Sequence, residues 1–324
     1  MTGEIFSQPW WLDAVAPRHW GEAVVEADGR RHAELRYTRW RERFGVVRVG
    51  VGPLSPRMGP TFFLDEAKLP SRLSRENQLT AQLVAKLPRY DYLSLLFPAR
   101  ITNWLPFHWL GFQQTTRYSY VIEPKSADRV FSEMSEASRG AIRKADRSLT
   151  VVDGEAAGLM PLVTSTLDRR GIRLRYDEAQ LAAGLAAGRA RGCASLRVAV
   201  DGQGHSHAGA LFVWDDERVY YLVGGNDTAH RSSGASSLVL WDGIQLAGSL
   251  GLHFDFEGSM IGPIEKFFRG FGGTPEPYLH VTHYSRRLAA ALSSRDAFSA
   301  LRGNRPSDRA RREPPNDPEA GGAS

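Results

Sequence analysis

Residues 218–257 read RVYYLVGGNDTAHRSSGASSLVLWDGIQLAGSLGLHFDFE, and the order of patterns within them decides the fold. RVYYLVGG is rich in β-branched and aromatic residues and ends on two glycines, as a strand running into a loop does. NDTAHRSS is a polar connector. From Gly234 to Leu250 the text turns apolar on a helical period, and around Leu252 to Glu257 it returns to strand-like alternation. Arg231, Gly234 and Ser236 form an R-x-x-G-x-S pattern where the helix begins. A helix start exposes backbone N–H groups and the positive end of the helix dipole, so an anion is favoured there. Gly234 permits close backbone approach, and Arg231 can fork onto phosphate oxygens. Gly224, at the strand end, belongs to the same candidate cradle. An ordinary glycine-rich helix start gives the same pattern, because short motifs acquire meaning only from their structural context.

The text just beyond, HFDFEGSMIGPIEKFFRGFGG (253–273), is the most distinctive in the chain. Phe254 and Phe256 alternate with Asp255 and Glu257, which puts both acids on one face of a strand. Such carboxylates can deprotonate an attacking ammonium or bind a substrate amine. Salt bridges to Lys266 or Arg269, or to a basic helix earlier in the chain, are the alternative.

Working outward, the second half opens with a strand near 149–152 and helices near 156–169 and 177–191. A hairpin at 195–200 and 207–214 is closed by DGQGHS, and another strand covers 218–224. The first half mixes a short helix at 6–16 with strands near 22–26, 33–40 and 45–51. A helix at 74–87, strands at 92–97 and 118–123, and a helix at 127–147 follow. The expected architecture is α/β: two tandem units, 1–148 and 149–294, each a mixed, mostly antiparallel sheet flanked by helices. Residues 295–324 are polar, Pro-rich and without aromatics beyond Phe298, and read as a disordered charged tail.

The chain has 324 residues, enough for two packed domains. Its single cysteine, Cys193, excludes a disulfide framework and a cysteine-based metal site, and suits a reducing, cytoplasmic compartment. The N-terminal text lacks the basic start and apolar run of a signal peptide, and no stretch approaches the roughly 20 apolar residues that span a bilayer. Net charge is +5. That excess suits an anionic substrate without requiring nucleic acid. The histidines lack ligand spacing, so no metal is expected.

Two further groups are candidates for substrate binding. Arg139, Arg143 and Lys144 lie in the basic run RGAIRKADR, where Arg139, Arg143 and Arg147 share a helix face. They can meet a diphosphate or an RNA backbone, or simply form a solvated face paired to Glu133 and Glu136. The aromatic run NWLPFHWLGF (103–112), with Trp104, can stack a sugar or base, or seal a core. Tyr118, just after it, is counted with the same group.

In order along the chain, FSQPWWLDAV (6–15), GPLSPRMGP (52–60), NWLPFHWLGFQQTTRYSYVIE (103–123), SRGAIRKADR (138–147), VYYLVGGNDTAHRSSGASSLVLWDGI (219–244), FDFEGSM (254–260) and IEKFFRGFGG (264–273) resemble the FemAB, or methicillin-resistance-protein, branch of the GNAT acyltransferase superfamily. The resemblance covers roughly residues 5–285. It implies two tandem GNAT-like domains around a substrate cleft and a pyrophosphate cradle at R-x-x-G-x-S, where the family motif is R/Q-x-x-G-x-G/A. It further implies transfer of an acyl or aminoacyl group, from aminoacyl-tRNA or acyl-CoA as co-substrate, to an amine on a small metabolite or a cell-wall precursor peptide. No permanently bound cofactor is implied, and tRNA is a possible partner. A plain acyl-CoA-dependent acetyltransferase acting on a sugar or small amine, or a non-catalytic binding module, fits the same text. Many members carry F-K-x-G-F-G near the end; here Phe268 occupies the lysine position. Lys266 and Arg269 flank it and are the candidate cations for a developing oxyanion.

Overall fold

A computed structural model describes residues 4–168 and 174–291. The tail expected at 295–324 lies outside the described residues, as does the end of the helix expected at 156–169. In chain order the elements are α1 (Pro9–Val15), β1 (Trp20–Ala27), β2 (Arg30–Arg41), β3 (Val47–Gly50), β4 (Thr61–Phe62), α2 (Leu69–Ala85), β5 (Tyr92–Leu96), α3 (Leu105–Trp109), β6 (Gln113–Ile122), α4 (Ala127–Glu133), α5 (Glu136–Asp146), β7 (Leu149–Asp153), α6 (Ala156–Asp168), α7 (Glu178–Arg189), β8 (Ala194–Asp201), β9 (Ser206–Trp214), β10 (Arg218–Asn226), α8 (Ala235–Leu250), β11 (His253–Asp255), α9 (Gly262–Arg269) and β12 (Thr274–Tyr284).

The mixed, mostly antiparallel sheet flanked by helices is as expected. Among the described residues its strand order is β1-β2-β3-β5-β12-β6-β11-β10-β9-β8-β7, with β4 beside β2. Among the described residues only β3 with β5 and β10 with β11 run parallel. Each half thus builds an antiparallel run, adds one parallel strand, and then takes its next strand from the other half. β12 closes onto β5, while β6 closes onto β11, and β6 and β12 pair with each other from Thr274 opposite Val121 to Thr282 opposite Gln113. The sheet therefore runs without interruption past residue 148.

The cores follow the same exchange. Val281 of β12 is fully buried among Leu35, Val49, Leu93 and Phe97 of the first half. Trp11, Leu12 and Val15 of α1 pack with α6, α7 and strands β8 to β10 of the second half. The Trp11 indole N–H donates to Leu54 O at 3.1 Å, fixing α1 to the 52–58 turn.

Several element boundaries differ from the sequence reading for local reasons. The helix expected at 127–147 is two, because Ser135 is extended (ψ 152°) and its hydroxyl accepts the Ser138 N–H at 3.2 Å, starting α5 afresh. β6 begins at Gln113, five residues before the expected strand, since pairing with β12 rather than hydrophobic alternation sets its length. The aromatic run contains α3, and the text after Glu257 contains α9. The 195–214 hairpin forms as expected; the Asp201 carboxylate accepts the Gln203 and His205 N–H groups, each at 2.9 Å, and so closes the turn.

Val281→Ala removes two methyl groups, worth about 0.8 kcal/mol each, and leaves a small cavity, so the expected loss is about 2 kcal/mol. Because β12 belongs to both halves, urea unfolding followed by tryptophan fluorescence and by far-UV circular dichroism should shift as one transition. Two separated transitions would show that the halves unfold independently.

Candidate functional site

β10 and β11 touch only at Arg218, Val219 and Tyr220, opposite His253, Phe254 and Asp255. β11 then ends, while β10 continues with β9 to Asn226 across a register shift between Tyr221 and Val223. Among the described residues, no strand covers this edge of β10 beyond Tyr220. The gap opens into a cavity of about 600 Å³ lined by Gly224, Gly225, Arg231, Ser236, Glu257 and Phe268, among others. Gly224 leaves room for the Tyr221 ring, since a Cβ there would fall 1.7 Å from its Oη. A Cβ on Gly225 would stand 2.3 Å from Val163 N, so this residue also lets α6 lie against the strand.

Three of the four residues expected in the anion cradle, Gly224, Arg231 and Ser236, line the cavity. Gly234 serves differently from the sequence reading. Its φ of 81° caps α8, and a Cβ there would fall 2.4 Å from Ala141 O, so the close approach it permits is that of α5. Lys144 reinforces this contact by donating to Ser232 O at 2.7 Å, which braces the Arg231–Ser233 turn.

The two acids part company. Asp255 has no exposed surface. Arg57 grips it with two nitrogens, at 3.0 and 3.2 Å; Arg218 reaches it at 3.1 Å, Ser119 Oγ at 2.5 Å, and the Glu257 N–H at 2.8 Å. Burial opposes its ionisation, but Arg57, Ser119 and Arg218 outweigh burial and hold the carboxyl below the usual range. Every approach to this carboxylate is occupied, so its geometry is that of a structural anion and not of the proton acceptor expected from the sequence. Glu257 lines the cavity with a nearly buried side chain, and burial pushes its carboxyl up to about 8. Arg57 Nε stands 3.4 Å from one of its oxygens; the other, Oε1, is buried without a hydrogen-bond partner. Glu257 also has φ 57°, rare for a residue with a side chain.

The expected oxyanion cations are placed elsewhere. Lys266 is exposed, Arg269 donates to Glu265 at 2.9 Å with an exposed side chain, and neither lines the cavity. Phe268 does, buried against Tyr221 and Phe256 with ring centroids 5.9 and 5.0 Å away. Where the sequence resemblance implies a lysine, the structure has an apolar wall.

The expected substrate-binding groups are not brought to the cavity either. Arg139 caps α4 by donating to Ser132 O and Met134 O at 3.0 and 2.8 Å, and Arg143 lies over the Phe131 ring at 5.3 Å. Trp104 packs edge-on against His108 at 5.1 Å beside the first-half core, and Tyr118 sits half-exposed on β6 opposite Pro277. Arg57, Ser119 and Arg218 went unnoticed in the sequence. Arg57 alone carried a signal, as the single charge in the proline-bounded turn GPLSPRMGP.

Residues 132–269 match the family model of the acetyltransferase (GNAT) domain. The chain is similar in structure to FemX, with a TM-score of 0.64 at 13% identity, covering 90% of this chain and 94% of that one. It is also similar to the C-terminal (DUF2156) domain of a putative lysylphosphatidylglycerol synthetase from Agrobacterium fabrum (TM-score 0.52, 12% identity, 90% of each chain). The structure of L-PGS from Bacillus licheniformis is comparable (TM-score 0.51, 11% identity, 90% of this chain and 98% of that one). No curated protein matches the chain by sequence. The class is thus the GNAT fold. Within it, residues 132–269 carry the match to a GNAT acetyltransferase domain, and the fold is like that of FemX.

Glu257 gives a stability test. The folded state holds its proton up to about 8, whereas the unfolded chain releases it near the ordinary 4.5. Between these values the native state binds more protons, so Glu257 lowers stability as pH rises. Glu257→Gln removes that loss. Its melting temperature should gain on the unaltered protein from pH 5 to pH 8; a constant difference across that range would contradict the assignment.

Proposed function

We propose that the chain is an N-acyltransferase in which Arg231 and the α8 start hold the anionic part of an acyl donor while Glu257 takes a proton from the acceptor amine. The observation that carries this reading is that Arg231, the open β10 edge and the buried carboxyl of Glu257 face one cavity. A helix N-terminus and a guanidinium suit a pyrophosphate. Backbone groups on the uncovered edge of β10 suit a donor chain laid alongside it, as an added strand would lie, and N–H groups there can stabilise the oxyanion as the amine attacks the carbonyl. A carboxyl that titrates near neutral pH suits an ammonium that must lose its proton first.

We further propose that the donor is an acyl thioester such as acyl-CoA, with aminoacyl-tRNA as the second reading. The thioester is favoured because the basic face of α5 is spent on internal contacts and is not offered to an RNA backbone. Likeness to FemX supports the alternative. The acceptor would be a primary amine on a sugar, a small metabolite or a cell-wall precursor peptide. The reading also divides the chain into two GNAT-like units, 1–148 and 149–294, that exchange their closing strands. Among the described residues, no helix is long and apolar enough to cross a membrane.

Incubation with labelled acetyl-CoA or with charged tRNA, against a panel of primary amines, separates the two donors directly. Arg231→Ala should weaken acetyl-CoA binding about tenfold, the scale of one charge-assisted contact. Glu257→Gln should lower kcat at least a hundredfold, the usual contribution of a general base. In the unaltered enzyme the rate should rise with pH to a plateau above about 8. Normal turnover in both variants would overturn the assignment.

A further inference from the structure

Arg57 belongs to the turn between β3 and β4, far in sequence from Glu257, and its side chain is 3% exposed. Its guanidinium spans two carboxylates: both terminal nitrogens meet Asp255, and Nε faces Glu257 at 3.4 Å. Its own position is fixed from several sides. The guanidinium carbon lies 4.7 Å from the centre of the Tyr278 ring of β12, the turn is bounded by Pro53, Pro56 and Pro60, and Met58 N–H donates to Leu96 O at 2.8 Å. Glu257, in contrast, stands on strained backbone. It is the first of two successive left-handed residues, followed by Gly258 at φ 71°, where a Cβ would fall 2.2 Å from Tyr118 O. A side-chain-bearing residue keeps such a conformation only where its surroundings dictate it.

We infer that Arg57 is a positioning residue for Glu257: through this one guanidinium, the first half of the chain aims the second half's proton acceptor into the cavity and keeps it able to ionise. The inference rests on the reading of Glu257 as proton acceptor. The charges acting on Glu257 are Arg57 and Arg218, which favour its carboxylate, and Asp255 and Glu4, which oppose it. Of the cations, Arg57 alone among the described residues lies within ion-pair distance of Glu257. Arg218 is committed to Asp255 and Glu276. A lysine could keep the charge but not the fork, since an ammonium on a flexible stem cannot hold two carboxylates in fixed relation.

The test compares Arg57→Met and Arg57→Lys with the unaltered protein. Arg57→Met leaves Asp255 with Arg218, Ser119 and the Glu257 N–H, so Asp255 is not stranded without a counter-charge. The first readout is the titration of the Glu257 carboxyl by carbon NMR, its resonance identified by its loss in Glu257→Gln; this readout needs no substrate. Arg57→Met should raise the midpoint by about one pH unit or more, as expected for loss of an adjacent opposite charge. Arg57→Lys should keep the midpoint within about half a unit. The second readout is kcat with acetyl-CoA and whichever amine the unaltered enzyme accepts. Arg57→Lys should lose about tenfold in kcat with the KM for acetyl-CoA unchanged, the scale of loss when an acid–base group is misplaced. If Arg57→Met does not fold, the Arg57→Lys split between kcat and titration decides alone. An unmoved midpoint in folded Arg57→Met, or full kcat in Arg57→Lys, overturns the inference. Normal turnover in Glu257→Gln together with a shifted midpoint in Arg57→Met would instead refute the catalytic reading while leaving the electrostatic link intact.

Discussion

The ion pair between Arg57 and Asp255 is the constraint on which the site depends. Both groups are almost wholly removed from water, and breaking such a pair typically costs about 3–5 kcal/mol where a buried charge is left uncompensated; at Asp255 the second arginine, Arg218, tempers that cost. It joins a turn of the first half to the last residue of β11 in the second. Where β11 stops, Asp255 turns its carboxylate to Arg57 and accepts the Glu257 N–H two residues on, and the chain swings through Glu257 and Gly258 in left-handed conformations. The gap beside β10, the cavity and the exposure of Glu257 to it all follow from that swing. Asp255 and Glu257 are two residues apart and chemically alike, yet one is held ionised by two arginines and the other is pushed towards neutrality by burial.

The fold was largely legible because it is written in local order. Strand, loop, helix and strand follow each other in 218–257, and turn residues mark the 195–214 hairpin with little ambiguity. The position of β12 was not legible. Its pairing with β5 and β6 is a long-range choice that no local period encodes, and Pro275 and Pro277 make its text look unlike an interior strand. The same limit hid the break at Ser135, where one capping hydroxyl outweighs a continuous helical pattern.

The lining of the cavity was legible in part for a related reason. Arg231, Ser236, Gly224 and Glu257 could be read from their place beside a predicted strand end or helix start, since those positions fix where backbone and side chain point. The basic residues of α5 could not. Charge at helical spacing shows which residues share a face, but not what that face meets, and here it meets the end of α4, the Phe131 ring and the 231–233 turn. Arg57 was hidden more deeply, because its partners lie almost two hundred residues away.

The crossing of β6 and β12 between the halves also bears on how the chain reaches its native state. A segment emerging from synthesis can complete the pairing of β5 only after Thr274–Tyr284 has been made, so until then the first half presents an unfilled sheet edge. Contacts of such long sequence separation close late and slowly, since loop entropy must be overcome before they form. The arrangement that lets one half direct a side chain of the other therefore makes this protein dependent on late, long-range closure, and exposes its middle strands to wrong pairing meanwhile.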